Sequence, residues 1–360
     1  MYSRPRLHMA VVLPPPVTGQ TLASRALVRH LGQAAPPGAV AIHPVSGGGA
    51  AWRVHKQTAL LAAILRAAAA GRGRDALYLV VDSGAGLWAQ AAAAPVLRTG
   101  FSRVVLHHHG FAPLRRRDPR LAALLSGLGD RARHIVLCPG MATALVRHYA
   151  VAPDRIRVLG NAALIPAPPR APARPADIPL TLGFLGNITR SKGIGAFMAT
   201  PRALAEAGRP VRALIAGPVT RPDLEAEIAW FLAEDPAGRS ALGPVSGPAK
   251  RRFLAGIDAL LFPSAYPNEA QPFTIFEALA AGRPVLATPI GGIPGQIERA
   301  WCLPAPGFAA AAARIVAGWQ DRPETHAAAC AAARARFEAA QARDVAALWS
   351  VTRWLLEGAE

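Results

Sequence analysis

NEAQPFTIFEALAAGRPVLATPIGGIPG, residues 268–295, sets Glu269 and Glu277 eight positions apart across Pro272. An apolar run, IDALLFP at 257–263, leads into it; a second, RPVLATP at 283–289, lies inside it; Gly291 and Gly292 close it. The chain has only 22 acidic residues against 40 basic ones, so two carboxylates in this apolar setting call for a reason. Pro272 suits the first position of a helix, where its missing N–H costs nothing. The N–H groups of Phe273 and Thr274 then have no partner within the helix, and such a helix start holds anions such as phosphate. Glu269 falls in the loop before this helix and Glu277 in its first turns. They therefore face different parts of one bound molecule, a long ligand that meets one of the two glutamates at each end and the helix N–H groups between them.

Outward from this stretch, short apolar runs alternate with helical patterns along the whole chain, which is the signature of parallel sheets flanked by helices. The strand candidates are 7–13, 39–45, 76–82, 103–109, 134–140 and 156–162, then 180–186, 212–217, 257–263 and 283–289. Between the two groups, IPAPPRAPARPADIP at 165–179 carries prolines too densely for helix or central strand and reads as a semi-rigid linker. The expectation is an α/β chain of two doubly wound, Rossmann-like domains. Residues 1–165 form the first, 166–179 the linker and 180–335 the second, while a helix over 336–360 packs across both. In such sheets ligands sit beyond the carboxyl ends of the strands, so the loops that follow strands are where the chemistry is expected.

Composition narrows the class. At 360 residues the chain exceeds what one core usually organises, and 52% hydrophobic residues exclude global disorder. Arg66 and Arg314 interrupt the longest apolar runs before they reach a bilayer-spanning length. Arg4 and Arg6 precede LHMAVVL, but PPP follows without a cleavage site, so a cytoplasmic protein is expected. Cys138, Cys302 and Cys330 have neither disulfide nor zinc spacing. The net charge of +18 invites nucleic acid, yet lysine occurs only at 56, 192 and 250 and the remaining charge is arginine in an Ala- and Pro-rich chain. Most of it reads as solvated surface, and no nucleic-acid partner is expected. Two clusters stand out, LRRRDPR at 114–120 and KRR at 250–252. The first suits anionic lipid heads at the inner membrane face or an acidic acceptor, each basic residue contributing about 1 kcal/mol at such a surface.

The loop after strand 180–186 reads GNITRSKG, with Arg190 and Lys192 ahead of a helix starting near Ile194, a natural diphosphate site. With this loop in place, residues 184–298 resemble the C-terminal domain of retaining glycosyltransferases of family GT4. The resemblance rests on a glutamate, seven residues, a second glutamate and ALAAGRPVLATPIGGIP. It extends more weakly to PPPVTGQTLASRAL, to HHHG at a strand end and to DRIRVLGNA, and so covers nearly the whole chain. It implies the GT-B fold of two facing Rossmann-like domains, residues 1–165 binding the acceptor and 180–335 the nucleotide sugar, and transfer of a sugar from a nucleotide-sugar donor to a glycan or lipid-linked acceptor, in polysaccharide or cell-envelope glycan synthesis. Glu269 would contact hydroxyls of the transferred sugar, Glu277 the ribose, Arg190 or Lys192 the diphosphate, and His109, or else His107, the sugar or acceptor. Gly19, Gly186, Asn187, Pro272, Phe273 and Thr274 would line the donor.

The chain departs from the family in two places. Many members carry EGFG where it has Glu269-Ala270-Gln271-Pro272, and many carry an arginine where it has Asn187. Arg190, three residues on, is expected to supply the missing guanidinium. A departing diphosphate calls for fixed positive charge more than a strong base. No DxD pair occurs, so cations and helix N–H groups are expected to do this without metal or other cofactor. Three consecutive histidines, 107–109, alternate faces of a strand and do not converge on one metal; they read either as partly buried imidazoles or as a cleft contact. Gly19 reads as a turn residue or a backbone approach to phosphate, and SGGGA at 46–50 as a flexible loop. Two rival functions share the fold: a sugar-nucleotide epimerase, and a catalytically silent nucleotide-sugar-binding scaffold.

Overall fold

The structure, a computed structural model, describes residues 6–15, 17–47, 52–70, 73–166, 179–219 and 221–357. The chain divides into two compact units, residues 1–164 with 343–360, and residues 165–342. Most of the proline-rich segment, 167–178, and the tip of SGGGA lie outside the described residues.

In chain order the first unit runs β1 (Leu7–Val12), α1 (Gly19–Ala34), β2 (Val40–Val45), α2 (Trp52–Ala70), β3 (Ala76–Val81), α3 (Gly86–Gly100), β4 (Arg103–His108), α4 (Ala112–Arg115), α5 (Pro119–Leu128), β5 (Ala132–Val136), α6 (Pro139–Tyr149) and β6 (Ile156–Val158). Its sheet is parallel, in the order β2-β1-β3-β4-β5-β6. Helices on both faces bury β1, β3 and β4 at every residue, which is why these strands read as unbroken apolar runs. The strand order reverses between β1 and β3. Helix α1 opens on a reciprocal cap: the Thr18 hydroxyl accepts from the Thr21 N–H at 3.2 Å, and the Thr21 hydroxyl accepts from the Thr18 N–H at 2.9 Å. In the basic cluster, Arg120 turns back onto Asp118, the cap of α5, and its hydrogen bond holds that carboxyl below its ordinary range; Arg115, Arg116 and Arg117 stay exposed.

The second unit runs β7 (Thr181–Leu185), α7 (Ile194–Glu206), β8 (Arg212–Ala216), α8 (Pro222–Ala233), β9 (Arg239–Ala241), α9 (Gly247–Gly256), β10 (Ala259–Phe262), α10 (Phe273–Ala280), β11 (Val285–Ala287), α11 (Phe308–Asp321) and α12 (Pro323–Glu357). Its parallel sheet has the order β11-β10-β7-β8-β9, reversing between β7 and β10. Sequence reading misses β9, a three-residue edge strand whose RSA sequence has no apolar run to announce it.

Helix α12 contributes to both cores. Its earlier part buries Phe337 against Phe276, ring centroids 6.4 Å apart, in the second unit, a contribution of about 1.5–3 kcal/mol. Its last turns bury Leu348, Val351 and Leu355 in the core of the first unit with Met9, Leu27 and Tyr78. There Arg103 caps it, donating to the carbonyls of Trp354 and Leu355, each at 2.6 Å. Among the described residues no helix is long and apolar enough to cross a membrane.

Candidate active site

The loops after β7 and β10 meet at the reversal point of the second sheet, where doubly wound folds bind ligands. The Ala265 N–H donates to the Ser191 carbonyl at 2.7 Å, which ties the two loops together. The glycine pair that closes the opening stretch has its role here. Gly291 has φ +56°, and a β-carbon on it would lie 1.8 Å from the Glu269 carbonyl oxygen; the Gly292 N–H then donates to the Ala270 carbonyl at 2.7 Å. Only a side-chain-free residue lets this turn press against the backbone that carries Glu269.

Glu269 is 6% exposed and ion-paired with Lys192, and its Oε1 also accepts from the Ser264 hydroxyl at 2.9 Å. The Lys192 ammonium lies 4.6 Å from the Tyr266 ring centroid and 5.8 Å from that of Phe262. Lys192 is held from below, because the Thr189 hydroxyl accepts from its backbone N–H at 3.1 Å. Glu277, on α10, is ion-paired with Lys250 of α9. Along the chain the two carboxylates thus bracket the start of α10 at Phe273, each with its own lysine.

Pro272 departs from the expectation by one place. It caps α10 with ψ 128°, and the helix begins at Phe273; Gln296 donates to its carbonyl at 3.1 Å. The N–H groups of Phe273 and Thr274 still open the helix. Arg190 departs further. It reaches Asp223 at 3.0 Å and also pairs with Glu227, its side chain is 60% exposed, and the structure does not bring it to Glu269. The physical reason is local: Asp223 and Glu227 stand one turn apart on α8 and offer a planar guanidinium two carboxylates at once. The expected second cation thus rests on α8 in this structure. Asn187 is exposed directly after Gly186, at the end of β7.

Lys250, read in the sequence only as part of a surface cluster, is the residue at the site that sequence reasoning missed. A signal was present: lysine fills three of forty basic positions, and two of the three sit here.

In the first unit, Gly19 opens α1 directly after its Thr18 cap. His107, near the end of β4, and His109, just past it, have ring centroids 4.1 Å apart, while His108 packs on His134, its Nε2 3.0 Å from His134 Nδ1. The Tyr78 hydroxyl lies 2.6 Å from His107 Nδ1, and burial pushes that phenol well above its usual pKa, so it stays protonated. The Nε2 atoms of His107 and His109 are buried without a protein partner. Burial lowers all of these imidazoles, His109 to about 4 and His134 to about 3, so they are neutral at pH 7.

Residues 179–321 match the family model described as glycosyl transferases group 1. Among solved structures, sucrose-phosphate synthase from Thermosynechococcus elongatus superposes with a TM-score of 0.72 at 16% identity, over 99% of this chain and 100% of that one. HepE from Anabaena, in complex with UDP, superposes with a TM-score of 0.70 at 16% identity, over 98% of this chain and 100% of that one. The chain has the GT-B fold. WaaG, a glycosyltransferase involved in lipopolysaccharide biosynthesis, is a further GT-B match, with a TM-score of 0.62 at 13% identity over 98% of this chain and 100% of that one. No curated protein matches the sequence.

Proposed function

We propose that this GT-B chain is a retaining, GT4-like glycosyltransferase that takes its sugar from a nucleotide-sugar donor held in the second unit and passes it to a glycan or lipid-linked acceptor. The observation that carries the reading is the pair of lysine-held carboxylates flanking the α10 N-terminus. Glu277, steadied by Lys250, accepts hydrogen bonds from the two ribose hydroxyls. The diphosphate lies against the N–H groups of Phe273 and Thr274 and against Lys192. Glu269 then receives hydroxyls of the sugar, and Lys192 divides its charge between that carboxylate and the departing phosphate. Transfer passes through an oxocarbenium-like state while negative charge grows on the leaving diphosphate, so fixed cations and helix N–H groups aimed at that charge lower the barrier. Asn187 and Gly186 line the donor, and His109, neutral at pH 7, accepts or donates a hydrogen bond at the acceptor side.

Thermal-shift screening against UDP-, GDP-, ADP- and dTDP-sugars tests the reading. One of these donors should stabilise the protein by about 2.7 kcal/mol when present at 100 times its dissociation constant. No shift with any nucleotide sugar or nucleoside diphosphate would remove the donor site and the function built on it.

A further inference from the structure

The first sheet has a reversal point of its own, between β1 and β3, and the residue that follows β3 there is Asp82, 8% exposed. Its Oδ2 accepts from Lys56 Nζ at 3.0 Å and from Gln57 Nε2 at 2.9 Å, both on α2, and its Oδ1 accepts from the Ser83 N–H at 2.7 Å. Gln90 completes the support from α3, taking the Asp82 N–H on Oε1 at 3.0 Å and donating Nε2 to the Val80 carbonyl at 2.8 Å. Gly86, the first residue of α3, leaves room for this arrangement. A β-carbon there would lie 2.4 Å from Gln57 Nε2 and 2.5 Å from Asp82 Oδ2.

Stability alone does not ask for such a cluster, because a buried ion pair is often no better than well-packed apolar side chains of the same volume. Residue usage also points elsewhere. Of the three lysines in the chain, two hold carboxylates at the reversal point of the second sheet, and Lys56 does the same at that of the first. The cluster has bonding capacity left over. The ammonium has three donors, of which Asp82 takes one; the carboxylate has about four lone-pair directions, of which three are filled; the Gln57 carbonyl is a further acceptor. His109, whose buried Nε2 has no protein partner, lies one position beyond the Val81–His108 register pair on the adjoining strand. Lys56 offsets the charge of Asp82, and burial keeps His109 neutral. A set of donors and acceptors with no net charge matches vicinal hydroxyls, which donate and accept together, and offers no net attraction to phosphate.

We infer that Asp82, Lys56 and Gln57 form a binding site for the hydroxyls of a neutral polyol, the sugar of the acceptor. The word acceptor rests on the transferase reading; the polyol site does not. Saturation-transfer NMR on the full chain, with the methyl glycosides of glucose, galactose and mannose as probes, tests it. At least one glycoside should receive saturation from the wild-type protein. Asp82→Asn and Lys56→Met should each weaken that binding about tenfold or more, the loss of a hydrogen bond to a charged group, while a UDP titration of the same samples stays within about twofold of wild type and the melting temperature vouches for the fold. Equal saturation of wild type and both variants, no saturation by any glycoside, or displacement of the glycoside by inorganic phosphate at constant ionic strength would overturn the inference. Glycoside binding without nucleotide binding would leave the polyol site standing and sink the donor assignment instead.

Discussion

Lys192→Ala should lower turnover by roughly a hundredfold or more at saturating donor, the effect seen when one transition-state donor is removed from a preorganised site. The expectation follows from where the charge goes. A leaving diphosphate gathers negative charge as the glycosidic bond breaks, and Lys192 is the cation tied to Glu269, the carboxylate we propose faces the sugar, within the loops that meet at the second reversal point. Arg190 rests instead on Asp223 and Glu227. The substitution also leaves Glu269 nearly buried with the Ser264 hydroxyl in place of an ion partner. A fold control is therefore needed, and a buried carboxylate robbed of its cation costs about 3–5 kcal/mol of stability. Lys192→Arg separates the two effects: it restores the pairing and the melting temperature, while turnover recovers only in part because a planar guanidinium places its charge differently. Turnover of Lys192→Ala within about threefold of wild type would show that the leaving group meets its charge elsewhere.

Acid should destabilise the protein well above the pH at which carboxylates titrate. His107, His108, His109 and His134 are all held below their ordinary pKa by burial, His109 at about 4 and His134 at about 3. Their pKa is higher in the unfolded chain, near 6.5. Above that value neither state binds these protons and stability is intact. Below it the unfolded chain takes up protons that the folded chain refuses, so stability falls as the pH drops from 6.5 through about 4 for His109 and about 3 for His134. Each such imidazole contributes up to about 1.4 kcal/mol per pH unit. All four shifts run in the same direction, so the loss between pH 7 and 5 accumulates over the cluster. Urea melts followed across that range check this. A midpoint that does not move between pH 7 and 5 would mean that these rings are solvated or already charged.

The parallel architecture was legible because its strands are buried on both faces, so β1, β3, β4 and β10 appear in the sequence as plain apolar runs between helical patterns. The same reasoning fails for β9, where three residues at a sheet edge need no apolar character. At the candidate site, the spacing of Glu269 and Glu277 about a proline showed that the two carboxylates flank a helix start, since that much is local. What each carboxylate pairs with is not local. Lys250 reaches Glu277 across 27 positions, and Lys192 reaches Glu269 across 77. Where the Arg190 side chain rests was hidden for the same reason, because the carboxylates that engage it lie 33 and 37 positions away on another helix. Asp82 shows the limit most clearly. One acid at the end of an apolar run gives no sign of the lysine and the two glutamines that the fold gathers around it.

The division of labour between the two glutamates is the central claim, and calorimetric titration of nucleoside diphosphates into wild type, Glu277→Gln and Glu269→Ala tests it most directly. One of UDP, GDP, ADP or dTDP should bind the wild-type chain. Glu277→Gln should weaken that binding by about 1.5–3 kcal/mol, the range for hydrogen bonds to a charged group, while Glu269→Ala keeps it and loses turnover with the intact donor. Unchanged diphosphate affinity in Glu277→Gln, or equal damage from both substitutions, would contradict the placement of ribose and sugar on these two carboxylates.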